Sequence, residues 1–270
     1  EEGTPRNSTP KCFRAFVIEP VLACAAIAPA QDAPAAGPSA ARELANAHNP
    51  QANMTAFNIQ NYRMNSLYDT DASANTTWLR FAKPIGRVLV RASLPLSTIS
   101  VPSAGTTSGV GDFNIFGAYL LSDSDSPRQF GIGPLLAAPT ASEDELGSDV
   151  WQAGAAAIYF NAESPVVQWG GLLTAQTKIG GDGPDTSQAV LQPFLFLQFG
   201  KGVYGGMAPL WFFDLESGHY SMPLGWRLGK VVKAGSTVFN VFLEPQFTML
   251  HWGAGQPEFQ VFAGLNMQFM

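Results

Sequence analysis

The sequence predicts an all-β chain folded as a transmembrane antiparallel β-barrel of about twelve strands, and three observations predict it. From residue 54 onward apolar and polar residues alternate with a period of two, as in "FQVFAGLNMQF" at 259–269. The runs are divided by connections that swing between tight turns and longer Gly/Pro/Asp/Ser-rich loops. Charged residues are only 13% of the 270, against roughly 25% in ordinary soluble proteins. No window holds the roughly 18 uninterrupted apolar residues that a membrane helix needs. An apolar face spread over alternate residues meets lipid in such a barrel, and the polar face lines its interior.

Residues 1–30 read as a processing segment. Lys11 and Arg14 precede the apolar run Phe16–Ala30, which ends on small residues at Ala28 and Ala30, the pattern of a cleaved signal peptide. Cleavage there removes Cys12 and Cys24 and leaves no thiol for a disulfide or a cysteine metal site. Residues 31–53 are Ala/Pro-rich and read as a periplasmic linker, which leaves 54–270 for the barrel.

Within the barrel the predicted strands are 54–63, 76–83, 88–97, 109–121, 128–138, 150–161, 166–178, 188–199, 203–213, 220–231, 236–250 and 258–269. Connections such as "PIGR" (84–87), 162–165, 200–202 and 232–235 are tight and are assigned to the periplasmic side. Those at 64–75, 98–108, 139–149, 179–187, 214–219 and 251–257 are longer and are assigned to the outer side. An even strand number returns both ends to the periplasm. Pro95, Pro134, Pro193, Pro209, Pro223 and Pro245 fall inside strands, where each costs a ladder hydrogen bond, and are expected at bulges.

Alternation also assigns faces. Phe81, Tyr119, Tyr159, Phe199, Trp226 and Phe269 fall on the apolar face near the periplasmic ends of the inward-running strands, as an interfacial aromatic girdle requires. Facing inward are amides, hydroxyls and a few charges, among them Ser93, Asn114, Gln168, Thr174, Gln176, Gln188, Gln192, Gln198, Asn240, Gln246, Gln260, Asn266 and Gln268. The charged candidates for a solute path are Arg80, Arg91, Asp112, Lys178, Arg227 and Glu244. With Ile85 and Gly86 at the tip of the "PIGR" turn, Arg80 would lie directly opposite Arg91. Such a pair needs an anion between the two guanidiniums, with Glu244, Asp112 or a solute as the candidates.

Three stretches, "NPQANMTAFNIQN", "ANTTWLRFAKPIGRVLVRASLPL" and "GVGDFNIFGAYLL", with Pro139 and Thr140 opening the next loop, carry a family resemblance. Over Asn49 to Phe269 the chain resembles the Gram-negative outer-membrane barrels named as transporters for the meta-pathway of phenol degradation. That resemblance implies an outer-membrane, porin-like barrel and passage of small, often aromatic molecules. It implies no catalytic residues. Met270 departs from it, since such chains normally close on the aromatic that stands here at Phe269.

Other functions find little support. A net charge of −6 with no basic cluster argues against a nucleic-acid partner. No dinucleotide or phosphate-loop fingerprint exists, and no cofactor is expected. His219 near Asp214, Ser217 and Ser221 leaves a loop-borne hydrolase as a third reading, but no G-x-S-x-G elbow is present and no catalytic residue is assigned. His219, His251, Asp214 and Glu216 lack the spacing of a preformed metal pair, so no metal site is assigned. The outer loops are acidic, which suits a solvated rim or cation bridges to lipopolysaccharide. The reading is a channel for small, aromatic or anionic solutes, whose other partners are the bilayer, lipopolysaccharide and the barrel-assembly machinery. The alternative is a structural barrel without transport.

Overall fold

The computed structural model describes residues 54–123 and 126–269; the signal peptide and linker read from the sequence lie outside them. The strands are β1 (Thr55–Leu67), β2 (Ser73–Ile85), β3 (Val88–Val101), β4 (Gly105–Val110), β5 (Phe113–Leu120), β6 (Arg128–Ala138), β7 (Val150–Asn161) and β8 (Val167–Gly181). They continue with β9 (Ser187–Gly200), β10 (Val203–Met207), β11 (Trp211–Asp214), β12 (Tyr220–Gly225), β13 (Arg227–Ala234), β14 (Thr237–Trp252) and β15 (Pro257–Phe269). Three pairs, β4/β5, β10/β11 and β12/β13, are the two halves of one barrel strand each, so the wall has twelve strands. Every pairing is antiparallel, and β15 pairs with both β14 and β1 to close the cylinder. The fold is therefore the predicted all-β antiparallel barrel.

Period-two alternation sets the faces. Along β14 the residues Val238, Asn240, Phe242, Glu244, Gln246 and Thr248 are buried, whereas Val241, Leu243, Phe247 and Met249 are more than half exposed. The even residues turn into the barrel and the odd ones form an exposed apolar wall. The wall continues through Leu173, Leu228 and Val232.

The in-strand prolines explain where strands break. Pro95 lies opposite the gap between β4 and β5, since β3 pairs Leu96 with Val110 and Ser93 with Asn114. Pro209 sits in the gap between β10 and β11, and Pro193 faces that gap from β9. Pro245 faces the gap between β12 and β13, and a register shift falls between Met222 and Pro223. The β5–β6 ladder skips from Phe116 to Tyr119 opposite Gly133 and Pro134. Each proline removes an N–H from the ladder, and the partner strand gives way there.

Two expectations about connections change. At the loop end the strands run past their predicted limits, so β1 reaches Leu67 and β2 begins at Ser73. The stretch predicted as a loop at 98–108 is mostly hairpin between β3 and β4, held by Ser100–Thr106 (2.9 Å) and Ser108–Thr98 (3.0 Å) hydroxyl pairs. Ser/Thr cross-strand pairs hold a ladder in water, where composition alone suggests a loop. At the other end Gly86, with a φ of 59°, and Arg87 form the tip of the β2–β3 turn, because Ile85 pairs with Val88. The register therefore places Arg80 opposite Ser93 and Arg91 opposite Ala82. The two arginines are diagonal neighbours on the inward face, not directly opposed. At the β7–β8 turn Arg128 donates to Glu163 at 2.8 Å, and this hydrogen bond holds the Glu163 carboxyl below its usual range.

Candidate functional site

The interior is the candidate site, and its two halves differ. Midway along the barrel it is filled by a packed layer. Tyr62 stacks on Phe262 with centroids 4.1 Å apart, and Phe262 meets Phe242 edge-on at 4.9 Å. The Arg227 guanidinium lies over Phe242 at 3.8 Å and Phe262 at 5.0 Å. Its Nε donates to Glu244 Oε2 at 2.7 Å. Glu244 is fully enclosed, and it also accepts from Gln246 Nε2 (2.8 Å) and from the Ala208 N–H (3.0 and 3.1 Å). Gln260 Nε2 extends the chain to Gln246 Oε1 at 2.6 Å. A carboxylate at zero exposure is tolerable because an opposite charge and hydrogen bonds occupy it from every side.

Below this layer, in the half that carries the tight turns, lies a cavity of about 160 Å³. Arg80, Arg91, Gln192, Arg227, Asn240, Asn266 and Gln268 contribute to its lining, beside the apolar Leu89, Phe116, Ile158, Leu172 and Phe194. Arg80 donates to Gln60 Oε1, whose amide nitrogen in turn donates to Asn266 Oδ1 at 2.8 Å. The Arg80 guanidinium lies 4.8 Å from the Trp78 ring centre and that of Arg91 4.5 Å from Phe116.

The remaining charged candidates sit elsewhere. Asp112, in the β4–β5 gap, accepts from the Ser148 N–H (2.7 Å), Ser148 Oγ (2.6 Å) and the Ala141 N–H (3.3 Å), and so clasps the outer loop. Lys178 donates to the Gly183 carbonyl at 2.7 Å and reaches Asp185 at 3.3 Å. Neither contributes to the cavity lining. Glu244 is taken by Arg227 and Asp112 by the loop, so neither supplies the carboxylate expected between Arg80 and Arg91.

Gln168, Gln246 and Gln260 are buried inside as alternation required. What the polar-face rule missed is the inward aromatics: Tyr62, Trp78, Phe116, Phe160, Phe194, Phe196, Tyr204, Phe242 and Phe262. Their signal was parity, since Trp78 shares a face with Arg80 and Phe262 with Gln260. On the outer wall Phe81, Tyr119, Phe199, Trp226 and Phe269 are all more than 40% exposed, and Tyr159 packs on Trp169 at 5.4 Å. Phe199 and Trp226 close over Gly205, where a Cβ would meet both rings at under 3 Å. Only glycine permits that approach.

At the loop end Ser217 Oγ donates to Asp214 Oδ2 at 2.5 Å, which ties the serine to the carboxylate in a loop cap. Ser221 faces the interior and is buried, away from that cap. A Ser–His–Asp relay, which needs the serine on the histidine ring, is not assembled among these residues. Tyr68 stacks on His251 at 3.5 Å, and no group of three or more His, Cys, Asp or Glu side chains able to hold a metal occurs among the described residues.

No family model matches the chain, and no curated protein matches it. Solved structures do. An outer membrane channel from Pseudomonas putida F1 aligns with a TM-score of 0.61 at 14% identity, over 81% of this chain and 96% of that one. The NanC porin aligns with a TM-score of 0.51 at 8% identity, over 79% and 99% of the two chains. At such identities the likeness is one of fold: the chain shares its barrel with proteins of these names.

Proposed function

We propose that this protein is a channel of a Gram-negative outer membrane that passes small solutes through the barrel interior. The observation that carries the reading is a closed barrel with an apolar, aromatic-edged outer wall around a cavity lined partly by polar groups. A wall of that kind is unfavourable in water and favourable in a bilayer, where closure satisfies every strand edge. The aromatics Phe81, Tyr119, Tyr159, Phe199, Trp226 and Phe269 act as the girdle at the periplasmic interface. The fold shared with a named outer membrane channel and a porin supports the same reading.

The finer assignment is to small aromatic or anionic solutes. The phenol-pathway resemblance supports the first. The interior charges support the second, because Arg227 is neutralised by Glu244 while Arg80 and Arg91 have no ion-pair partner among the described residues. The closing strand β15, with Phe269 on its outer face, is the segment we assign to the assembly machinery. The acidic outer loops form a solvated rim on the side that faces lipopolysaccharide.

One observation favours a second reading, a structural barrel without transport: the Tyr62–Phe262–Arg227–Glu244 layer fills the middle of the interior. Proteoliposomes carrying the folded protein decide between them. A channel swells them in iso-osmotic glycine faster than protein-free vesicles, whereas a structural barrel leaves them at the control rate. Lipid cleavage in the same vesicles would mark a hydrolase instead.

A further inference from the structure

We infer that the blind end of the cavity is a binding site for a small monocarboxylate, held between Arg80 and Arg91. The inference rests on the channel reading only in naming what the interior takes up.

The cavity ends at one level on three neighbouring strands. It reaches Gln60 on β1, Arg80 on β2 and Arg91 on β3, and stops below Tyr62, Trp78 and Ser93, which are buried. At this end Arg80 Nε, Arg91 Nε, Ser93 Oγ and Tyr62 Oη are buried with no hydrogen-bond partner among the described residues. Ser93 lies directly opposite Arg80. Arginine only donates, and the hydroxyls can turn to donate, so the cluster presents donors with nothing to receive them. The one acceptor that Arg80 has among the described residues, Gln60 Oε1, is neutral. Two like charges that are diagonal across a ladder repel, and with Arg80 buried and Arg91 half-buried the pair is costly unless an anion joins it.

The geometry selects the kind of anion. Diagonal positions lie about 7–8 Å apart at the backbone, within which two long arginine side chains can converge on one carboxylate. The Trp78 ring lies 4.8 Å from the Arg80 guanidinium carbon and the Phe116 ring 4.5 Å from that of Arg91, so each cation also rests on an aromatic ring at the edge of the cavity. Apolar Leu89, Phe116, Ile158, Leu172 and Phe194 share the lining with the amides of Gln192, Asn240, Asn266 and Gln268. A cavity of about 160 Å³ with a cationic end and walls that mix apolar and amide side chains has room for a carboxylate on one small ring, since a cavity of about 150 Å³ accepts benzene.

Benzoate is the probe, with the folded full-length barrel in detergent and equilibrium dialysis as the measurement. The wild type should bind benzoate, and benzyl alcohol at equal concentration should not displace it. Arg80→Gln/Arg91→Gln should weaken benzoate binding by at least about tenfold, and Arg80→Lys/Arg91→Lys, which keeps charge but loses the forks, by less. If the glutamine pair fails to fold, the lysine pair alone tests the site, and unchanged affinity in it overturns the fork geometry. Unchanged benzoate affinity in a folded glutamine pair overturns the site. Displacement by chloride at equal concentration overturns the carboxylate assignment and leaves a general anion site. Glycine flux separates this claim from the channel reading. Flux without benzoate binding sinks the site alone, and benzoate binding without flux sinks the channel alone.

Discussion

Glu244 is held by three donors, Arg227, Gln246 and the backbone of Ala208, and that defines what its removal does. Glu244→Gln keeps the shape but leaves the Arg227 guanidinium buried without its counter-charge. The expected loss is about 3–5 kcal/mol, and Arg227→Met/Glu244→Gln should lose less than the single change. Urea unfolding of the three proteins in lipid vesicles checks the order. Position on the wall sets a second contrast. Leu195 lies on the outward face of β9, paired with Trp169 and Met207, whereas Gln192 lines the cavity. Leu195→Arg should cost about 2–4 kcal/mol at the bilayer midplane and Gln192→Arg much less. Equal folding yields for the two would invert the assigned facing. Much of this was legible residue by residue, because parity alone sends Arg80, Arg227, Glu244 and Gln246 inward. It failed where residue type was weighed above parity. Trp78 and Phe262 are apolar, yet they share a face with Arg80 and Gln260, and the interior proved large enough to need their volume.

At the scale of elements, turn residues and prolines carried the information. Six prolines mark five ladder interruptions, and three of those interruptions split a barrel strand into two segments. What the sequence hid was register. Moving the β2–β3 tip from Ile85–Gly86 to Gly86–Arg87 changes which residue faces Arg80 from Arg91 to Ser93. A turn of this length accepts its glycine at either central position, so only the assembled ladder decides. The role of Asp112 was hidden too, because a carboxylate in the β4–β5 gap reads as a lumen charge until the loop over it is known. Its three hydrogen bonds to Ala141 and Ser148 predict that Asp112→Ala frees the 139–149 loop. Limited proteolysis of intact vesicles should then cut within that loop faster than in the wild type, with the barrel fragment still folded. Cleavage at the wild-type rate would mean that the loop is held by other contacts.

For the whole molecule, closure is the property from which the rest follows. A barrel whose last strand pairs with its first has no free edge, and its apolar wall stays in detergent or lipid. The folded protein should therefore run differently on an SDS gel before and after boiling, whereas a water-soluble sheet shows no such shift. The twelve-strand count was legible because alternation and turn signals repeat along the whole barrel, and repetition averages out errors at single boundaries. The filled middle of the interior was not legible, since it depends on which inward side chains meet across the barrel. That layer is also where the channel claim is most exposed, and single-channel recording in planar bilayers with the purified folded protein tests it most directly. A channel gives discrete conductance steps that are absent when the protein is boiled before addition. Folded, heat-modifiable protein that inserts and never conducts would contradict it.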